Sequence, residues 1–374
     1  MMHIMHVIDS LEVGGAERML VEIANQTAAD GHQVSVCVTR SQCTLAAAFQ
    51  SDIALTTLNR RCRFEWVAMK NFASLINDQK VDILQAHSRS TFAFLSLGKT
   101  LGLIHLPIIL HDHYGGVEIN SSIPLWFRIW AKYFVHHYVG VYAKLATWAE
   151  AAGIPKKRIS VIENALDLKS FCQAAPLDLR RELGILGDVL IGIVGCGLRY
   201  EKGIDVLLEA VARCSCHHSL TILVAGGERD QIYAQACREQ SSALRLQDCV
   251  KFIGERGDFP NLIKGADFAL IPSRSESGPL VLIEFMAAGL PFVSTKVGAI
   301  AHRVAEMGIP EFVEPDDAGS LAMALDRLVN LTPDERRERG KAGKEIALEC
   351  FDIRQKMAHW YKIYAGAMAE ARTR

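Results

Sequence analysis

This sequence predicts an α/β protein with two doubly wound domains, each built on a parallel sheet with helices on both faces. Three observations carry that prediction. The chain has 374 residues, more than a single hydrophobic core usually serves, so two domains are expected. Short continuous apolar runs alternate with segments of helical periodicity, the pattern of strands buried on both faces. A strand, a glycine-containing loop and a helix follow one another near residue 3 and again near residue 189.

His3–Ile8 is the first apolar run, followed by the turn-like Glu12-Val13-Gly14-Gly15 and then Ala16–Asp30, where Met19, Leu20, Ile23 and Ala24 recur at helical spacing. Gln33–Val38, Ile83–Ala86 and Ile108–Leu110 read as further strands with helices between them. The second series begins with Val189–Val194 and the helix Gly203–Cys214, and continues through Thr221–Ala225, Val250–Ile253, Phe268–Ile271 and Phe292–Ser294. The expected boundaries are an N-terminal domain over 1–168, a linker with a short helix over 169–187, a C-terminal domain over 188–352, and a last segment, 353–374, that crosses back to the first domain. That segment carries Trp360 and Tyr364 on an amphipathic helix. Before it, the charged helix Thr332–Glu349 reads as a solvated face. Binding sites are expected at the C-terminal strand ends, facing a common cleft.

Half of the residues are hydrophobic, 22% are charged and the formal net charge is −1. These values exclude a disordered chain and give no footprint for nucleic acid. Ten cysteines without a regular framework read as reduced thiols in a cytoplasmic protein. Cys214 and Cys216, followed by His217 and His218, lack further ligands at metal-binding spacing and read as a surface turn. Met1–Gly15 has no basic leader and holds Asp9 and Glu12, so it reads as the start of the fold rather than a signal peptide. No uncharged apolar run approaches the ~18 residues of a transmembrane helix.

The most informative stretch is Ile271-Pro-Ser-Arg-Ser-Glu276-Ser-Gly-Pro-Leu280-Val-Leu-Ile-Glu284-Phe-Met-Ala-Ala-Gly289-Leu-Pro291. A strand ends at Pro272, Pro279 suits a helix's first turn and Gly289 its C-terminal cap, so Glu276 lies in a loop and Glu284 in a helix. The amides of Gly278 and Leu280 then sit at a helix N-terminus, a favourable place for a phosphate. Two carboxylates beside a phosphate would repel it unless they accept hydrogen bonds from hydroxyls. A nucleotide sugar meets both demands. Lys202, in Arg199-Tyr-Glu-Lys202-Gly203, supplies a cation, with Arg199 nearby.

Glu276 and Glu284, with seven residues between them, resemble the paired glutamates of the retaining glycosyltransferases of family 4, which have the GT-B fold of two Rossmann-like domains. Glu201-Lys202-Gly203 is similar to the same family's Glu-Lys-Gly motif, Gly14-Gly15-Ala-Glu-Arg18 to its N-terminal glycine loop, and Asn164-Ala-Leu-Asp167 to its interdomain turn. The resemblance runs from about His3 to about Tyr364. It implies that Glu284 binds the ribose, Glu276 the transferred sugar and Lys202 the diphosphate. Gly14 and Gly15 would let the first loop approach the phosphates closely, and Phe252-Ile253-Gly254 would pass the base. His113 matches the family's active-site histidine, with His111 the lesser member of the pair. The sequence departs from the family at Gly197, where arginine is usual, at Phe285 and at Ala165; Arg199 is the nearest replacement for the missing charge.

The expected reaction moves a sugar from a UDP- or GDP-sugar onto a glycan or lipid-linked acceptor with retention, without cofactor or metal, as in polysaccharide biosynthesis. Alternatives are a catalytically inactive GT-B partner or scaffold and a nucleotide-sugar epimerase. A phosphorylase lacks a recognisable pyridoxal lysine, and a dinucleotide-dependent dehydrogenase is disfavoured because neither glycine loop reads G-x-G-x-x-G. Arg60, Arg61 and Arg63 read as an exposed basic loop or as contacts to an anionic acceptor. Residues 123–139, rich in Trp, Tyr, Arg and Lys, read as a helix that either lies on the inner membrane face or packs in the core.

Overall fold

A computed structural model describes residues 1–40, 42–62, 65–115, 121–185, 187, 189–309 and 311–373. The chain divides into two compact units, one made of residues 1–166 together with the segment from Ile353 onward, the other of Asp167–Asp352. Arg63 lies outside the described residues.

The first unit contains β1 (His3–Ile8), α1 (Gly15–Ala29), β2 (Gln33–Val38), β3 (Ala54–Thr57), α2 (Trp66–Asp78), β4 (Ile83–Ala86), α3 (Arg89–Thr100), β5 (Ile108–Asp112), α4 (Leu125–Phe134), β6 (Val135–Gly140), α5 (Ala143–Ala151) and β7 (Ile159–Val161). Its strands form one parallel sheet in the order β3-β2-β1-β4-β5-β6-β7. All six residues of β1 are buried, and Ile4 pairs with both Val34 and Ile83. A central strand with neighbours on both edges and helices on both faces has no solvent-facing side, so its two polar residues, His3 and His6, are buried with the apolar ones. The chain's last helix, α15 (Ile353–Thr373), belongs to this unit. Its Trp360 and Tyr364 are fully buried, and the Tyr364 hydroxyl donates to Gln85 Oε1 at 2.5 Å.

The second unit contains α6 (Lys169–Gln173), α7 (Leu179–Leu183), β8 (Leu190–Gly195), α8 (Ile204–Arg213), β9 (Leu220–Ala225), α9 (Gln231–Ala243), β10 (Val250–Gly254), α10 (Phe259–Gly265), β11 (Phe268–Ile271), α11 (Leu280–Ala288), β12 (Phe292–Thr295), α12 (Gly298–Glu306), β13 (Phe312–Val313), α13 (Ala318–Val329) and α14 (Pro333–Cys350). The sheet order is β10-β9-β8-β11-β12-β13, again parallel. Residues 169–187 hold two short helices inside this unit, with α6 packed on α11.

Three readings change. Residues 123–139 are not one helix: α4 stops at Phe134 and the chain enters β6, whose Val135, His136, Tyr138 and Val139 are buried. On α4, Phe127 and Ala131 are buried, whereas Leu125, Ile129 and Tyr133 are 72%, 49% and 60% exposed. The charged α14 also has a packed side: Gly340, Gly343, Ile346, Ala347 and Cys350 are buried and α14 packs along α11. Arg60 is neither exposed nor available to an acceptor. It is buried, bonds Asp9 Oδ1 at 2.8 Å and Thr39 Oγ1 at 3.3 Å, and lies over the Phe94 ring.

Each sheet has one switch point, where the strand order reverses: between β1 and β4 in the first, between β8 and β11 in the second. In open α/β sheets such points leave a crevice beyond the carboxyl ends of the strands. At the second, the loop after β8 ends at Gly203, whose φ is +63°. A Cβ there would lie 2.1 Å from the Pro272 carbonyl oxygen, in the loop after β11. Gly184 has a similar φ of +61° but open space around it. Gly184→Ala is therefore expected to cost about 1 kcal/mol from backbone conformation alone, and Gly203→Ala more than about 3 kcal/mol because a backbone collision is added. Urea unfolding of the two variants checks this difference.

Candidate active site

Two loops meet at the second switch point. The Arg274 amide donates to the Glu201 carbonyl at 2.8 Å, tying the Glu-Lys-Gly turn to the Pro-Ser-Arg-Ser-Glu loop. Across this junction Lys202 Nζ lies 2.5 Å from Glu276 Oε1, which also accepts the Ser273 hydroxyl at 2.9 Å. Both side chains of the ion pair are mostly screened from solvent. Behind the Glu276 loop, the Ala299 amide donates to the Ser277 carbonyl at 3.0 Å. Pro279 is the N-cap of α11, no side chain caps that helix, and Gly289 closes it in the left-handed conformation. Its first amides, beginning at Leu280 just after Gly278, belong to a helix end suited to an anion. Glu284 lies within α11 and is fully buried.

Arg274, the remaining charge of the loop, is committed to structure. Its guanidinium holds both oxygens of Asp205 at 2.7 and 2.6 Å, Asp316 at 2.5 Å and the Tyr200 carbonyl at 2.9 Å, and it stacks on the Tyr200 ring. Burial pushes the Asp205 carboxyl upward, but hydrogen bonds from Arg274 and Tyr233 outweigh it and hold the group below its ordinary value.

The side chain against Gly197 is Arg229: a Cβ on Gly197 would meet its Cγ at 2.7 Å. Arg199 is exposed. Arg229 comes from the loop after β9, and no spacing in the sequence links it to Gly197. Phe252 packs against the hydrophobic core under the Arg238 guanidinium, 5.1 Å away. Its ring is thus used for packing, and Gly254, at a bulge ending β10, gives its carbonyl to the Gly226 amide at 2.8 Å.

In the first unit, Gly14 is the N-cap of α1 and Gly15 its first residue; apart from its chain neighbours and its own helix backbone, nothing lies within 4 Å of where a Gly15 side chain would begin. The neighbouring strands β1, β4 and β5 bring four histidines together. His6 Nδ1 is 2.9 Å from His87 Nε2. The His111 and His113 ring centroids are 3.9 Å apart, and His87 stacks on His113 at 6.0 Å. Trp360 of α15 packs edge-on against His111. Burial pushes His6 down to about 3 and His113 to about 4, the latter against the opposing pull of Asp112. His87 and His111 lie well below the ordinary range, from burial first and neighbouring imidazoles second. Asp112 is itself fixed by Arg89 at 2.7 Å and by the Tyr138 hydroxyl at 2.8 Å. The sequence singled out His111 and His113 but not His6 or His87, which only the strand order makes their neighbours.

Two family profiles match consecutive parts of the chain: residues 13–170 match the one described as Glycosyltransferase Family 4, and residues 178–346 the one described as Glycosyl transferases group 1. The chain belongs to the family 4 glycosyltransferases. Among solved structures of similar fold, HepE of Anabaena in complex with UDP and glucose has a TM-score of 0.81 at 21% identity, over 97% of this chain and all of that one. WaaG, a glycosyltransferase involved in lipopolysaccharide biosynthesis, has a TM-score of 0.71 at 18% identity, over 96% of this chain and 98% of that one. The two parallel-sheet units are those of the GT-B fold. N-acetyl-alpha-D-glucosaminyl L-malate synthase of Bacillus anthracis is 27% identical over 56% of this chain and 54% of its own. D-inositol 3-phosphate glycosyltransferase of Corynebacterium urealyticum is 31% identical over 52% and 48%. The matched region thus spans about half the length of these curated relatives.

In this family 4 chain, the Arg274–Asp205 contact generates a prediction about acid. A carboxyl held low in the folded state stabilises it above the unfolded pKa, and that stability is lost as pH falls through the folded value. Asp205→Asn should lose about 1–3 kcal/mol at pH 7, with a smaller deficit against wild type near pH 3. Chemical denaturation at the two pH values measures both.

Proposed function

We propose that the chain is a retaining glycosyltransferase that moves a sugar from a nucleoside diphosphate to an acceptor hydroxyl. The observation carrying this reading is the Lys202–Glu276 pair beside the N-terminus of α11, with Glu284 buried in the same helix. A cation and a helix end suit a diphosphate, while carboxylates suit sugar and ribose hydroxyls. The complexes of HepE with UDP and with UDP-glucose support a uridine nucleotide as the first donor to try.

In the proposed reaction the bond from the anomeric carbon to the β-phosphate oxygen breaks and the acceptor oxygen bonds to that carbon on the same face. The acceptor's proton passes to the departing phosphate, and the nucleoside diphosphate leaves. Charge growing on the leaving group is met by Lys202 and the α11 amides. Arg229, the side chain beside Gly197, is a further candidate cation with Arg199. His113, held neutral by burial, positions the sugar by hydrogen bonding rather than by charge. No cofactor or metal is required by this chemistry.

Among the described residues no helix is long and apolar enough to cross a membrane. The exposed Leu125, Ile129 and Tyr133, interleaved with exposed Arg128 and Lys132, favour docking of α4 on an anionic bilayer surface and hence a lipid-linked acceptor. Wild type should sediment with anionic vesicles at low salt, and Ile129→Asp with Tyr133→Asp should not; equal sedimentation of the two removes this part of the proposal.

A thermal-shift screen with UDP, GDP, ADP and their sugars tests the donor site. Saturation at about 100 times the dissociation constant adds about 2.7 kcal/mol of stability. The shift should disappear in Glu284→Ala and Lys202→Ala, and Lys202→Ala should lower kcat by about 10²–10³-fold. Conversion of the donor without any acceptor would favour an epimerase, and no shift with any nucleotide an inactive partner. Inversion at the anomeric carbon, read by NMR, would overturn retention.

A further inference from the structure

The histidine group at the first switch point has more nitrogen lone pairs than its surroundings use. His87 and His111 are each 1% exposed. Among the described residues, His87 Nδ1, His111 Nδ1 and His113 Nε2 have no hydrogen-bond partner, and neither does His6 Nε2. A buried polar atom without a partner is costly, so several in one place call for a ligand. His87, His111 and His113 each offer one ring nitrogen, and these nitrogens lie within 4.8 Å of one another.

We propose that His87, His111 and His113 bind a divalent transition-metal ion of the zinc class, with water or a small ligand in the fourth position. Zinc holds imidazole nitrogens at about 2.0–2.1 Å, which places them roughly 3.4 Å apart around a tetrahedron. Rotation of the rings and a closure of about 1 Å bring the three nitrogens to that spacing. Imidazole binds metal through a ring nitrogen that carries no proton, and each of the three rings has one nitrogen without a hydrogen-bond partner. His6 is the outer partner: if His87 donates from Nε2 to His6 Nδ1, 2.9 Å away, the His87 Nδ1 lone pair is left for the metal. His113 as a whole is only partly buried, although its Nε2 is covered.

Cys214, Cys216 and Asp326 form the other three-donor group, but Asp326 already accepts Cys214 Sγ at 2.8 Å, the Ser215 hydroxyl at 2.9 Å and the amides of Ser215 and Cys216 at 3.2 and 3.1 Å. That carboxylate is used in closing its own turn.

A metal on His113 removes the nitrogen that the transferase reading assigns to the sugar. Inhibition of transfer by zinc rests on that reading; metal binding does not. Metal-free protein at pH 7.5 is titrated with Co²⁺ and then Zn²⁺. The expected result is one equivalent of Co²⁺ with tetrahedral visible bands and no thiolate charge-transfer band, displaced by Zn²⁺. His87→Gln and His113→Ala should lose that equivalent, Cys216→Ser should keep it, and His6→Phe should weaken it by about 10–100-fold. Circular dichroism melts report whether the buried His87→Gln folds, and His113→Ala stands as the test if it does not. No bound Co²⁺ or Zn²⁺, an equivalent that survives in folded His113→Ala, or a thiolate band lost in Cys216→Ser overturns the site. A protein that binds one Zn²⁺ yet transfers no sugar keeps the site and loses the transferase reading.

Discussion

The contact on which the second unit depends is one of backbone against backbone, where the Cα of Gly203 lies against the carbonyl of Pro272. Only a residue with neither a Cβ nor an aversion to positive φ fits there. Because it fits, the loops after β8 and β11 share the Glu201–Arg274 hydrogen bond, and Lys202 reaches Glu276. The Arg274–Asp205 contact fastens the same junction from the other side. A charged pair held by backbone in this way loses little entropy on meeting a ligand, which is what preorganisation demands.

The first unit uses its switch point differently. Its strand ends carry imidazoles that burial has stripped of charge, and their neighbours are aromatic rings and one another. Asp112, the nearest carboxylate, is already held by Arg89 and Tyr138, so it restores little of the lost basicity to His113. The two units therefore offer unlike chemistry from like topology: a charged, hydrogen-bonded junction in one and a neutral nitrogen cluster in the other.

Much of the parallel-sheet frame was legible in the sequence, because central strands such as β8 and β11 are buried on both faces and leave unbroken apolar runs. β6 was not, since Val135-His-His-Tyr-Val-Gly140 follows an aromatic helix without a turn residue, and only pairing to β5 and β7 explains it. Lys202 and Glu276 are assigned to one site because each lies in a compact motif, but the ion pair between them was not legible, since the sequence gives one to the diphosphate and the other to the sugar. Arg60 was misread because its partner, Asp9, is remote in sequence and on another loop. The same reason hid Arg229 behind Gly197 and His6 and His87 beside His111: periodicity records which way a residue faces, not which loop folds over it. The buried side of α14 was missed because glycine and alanine make a packing stripe that charge counting overlooks.

The chain leaves the first unit at Leu166 and returns at Ile353, and the Ile353 amide bonds the Leu166 carbonyl at 3.0 Å. Trp360 and Tyr364 then complete a face that strands made long before have left open. During synthesis on the ribosome, the first sheet must wait, with that face uncovered, while the whole second unit is translated and is free to fold by itself. The last element of the first unit is thus made only after the whole of the second. An aggregation-prone interval is built into translation, in which a chaperone that shields apolar sheet faces would have most effect.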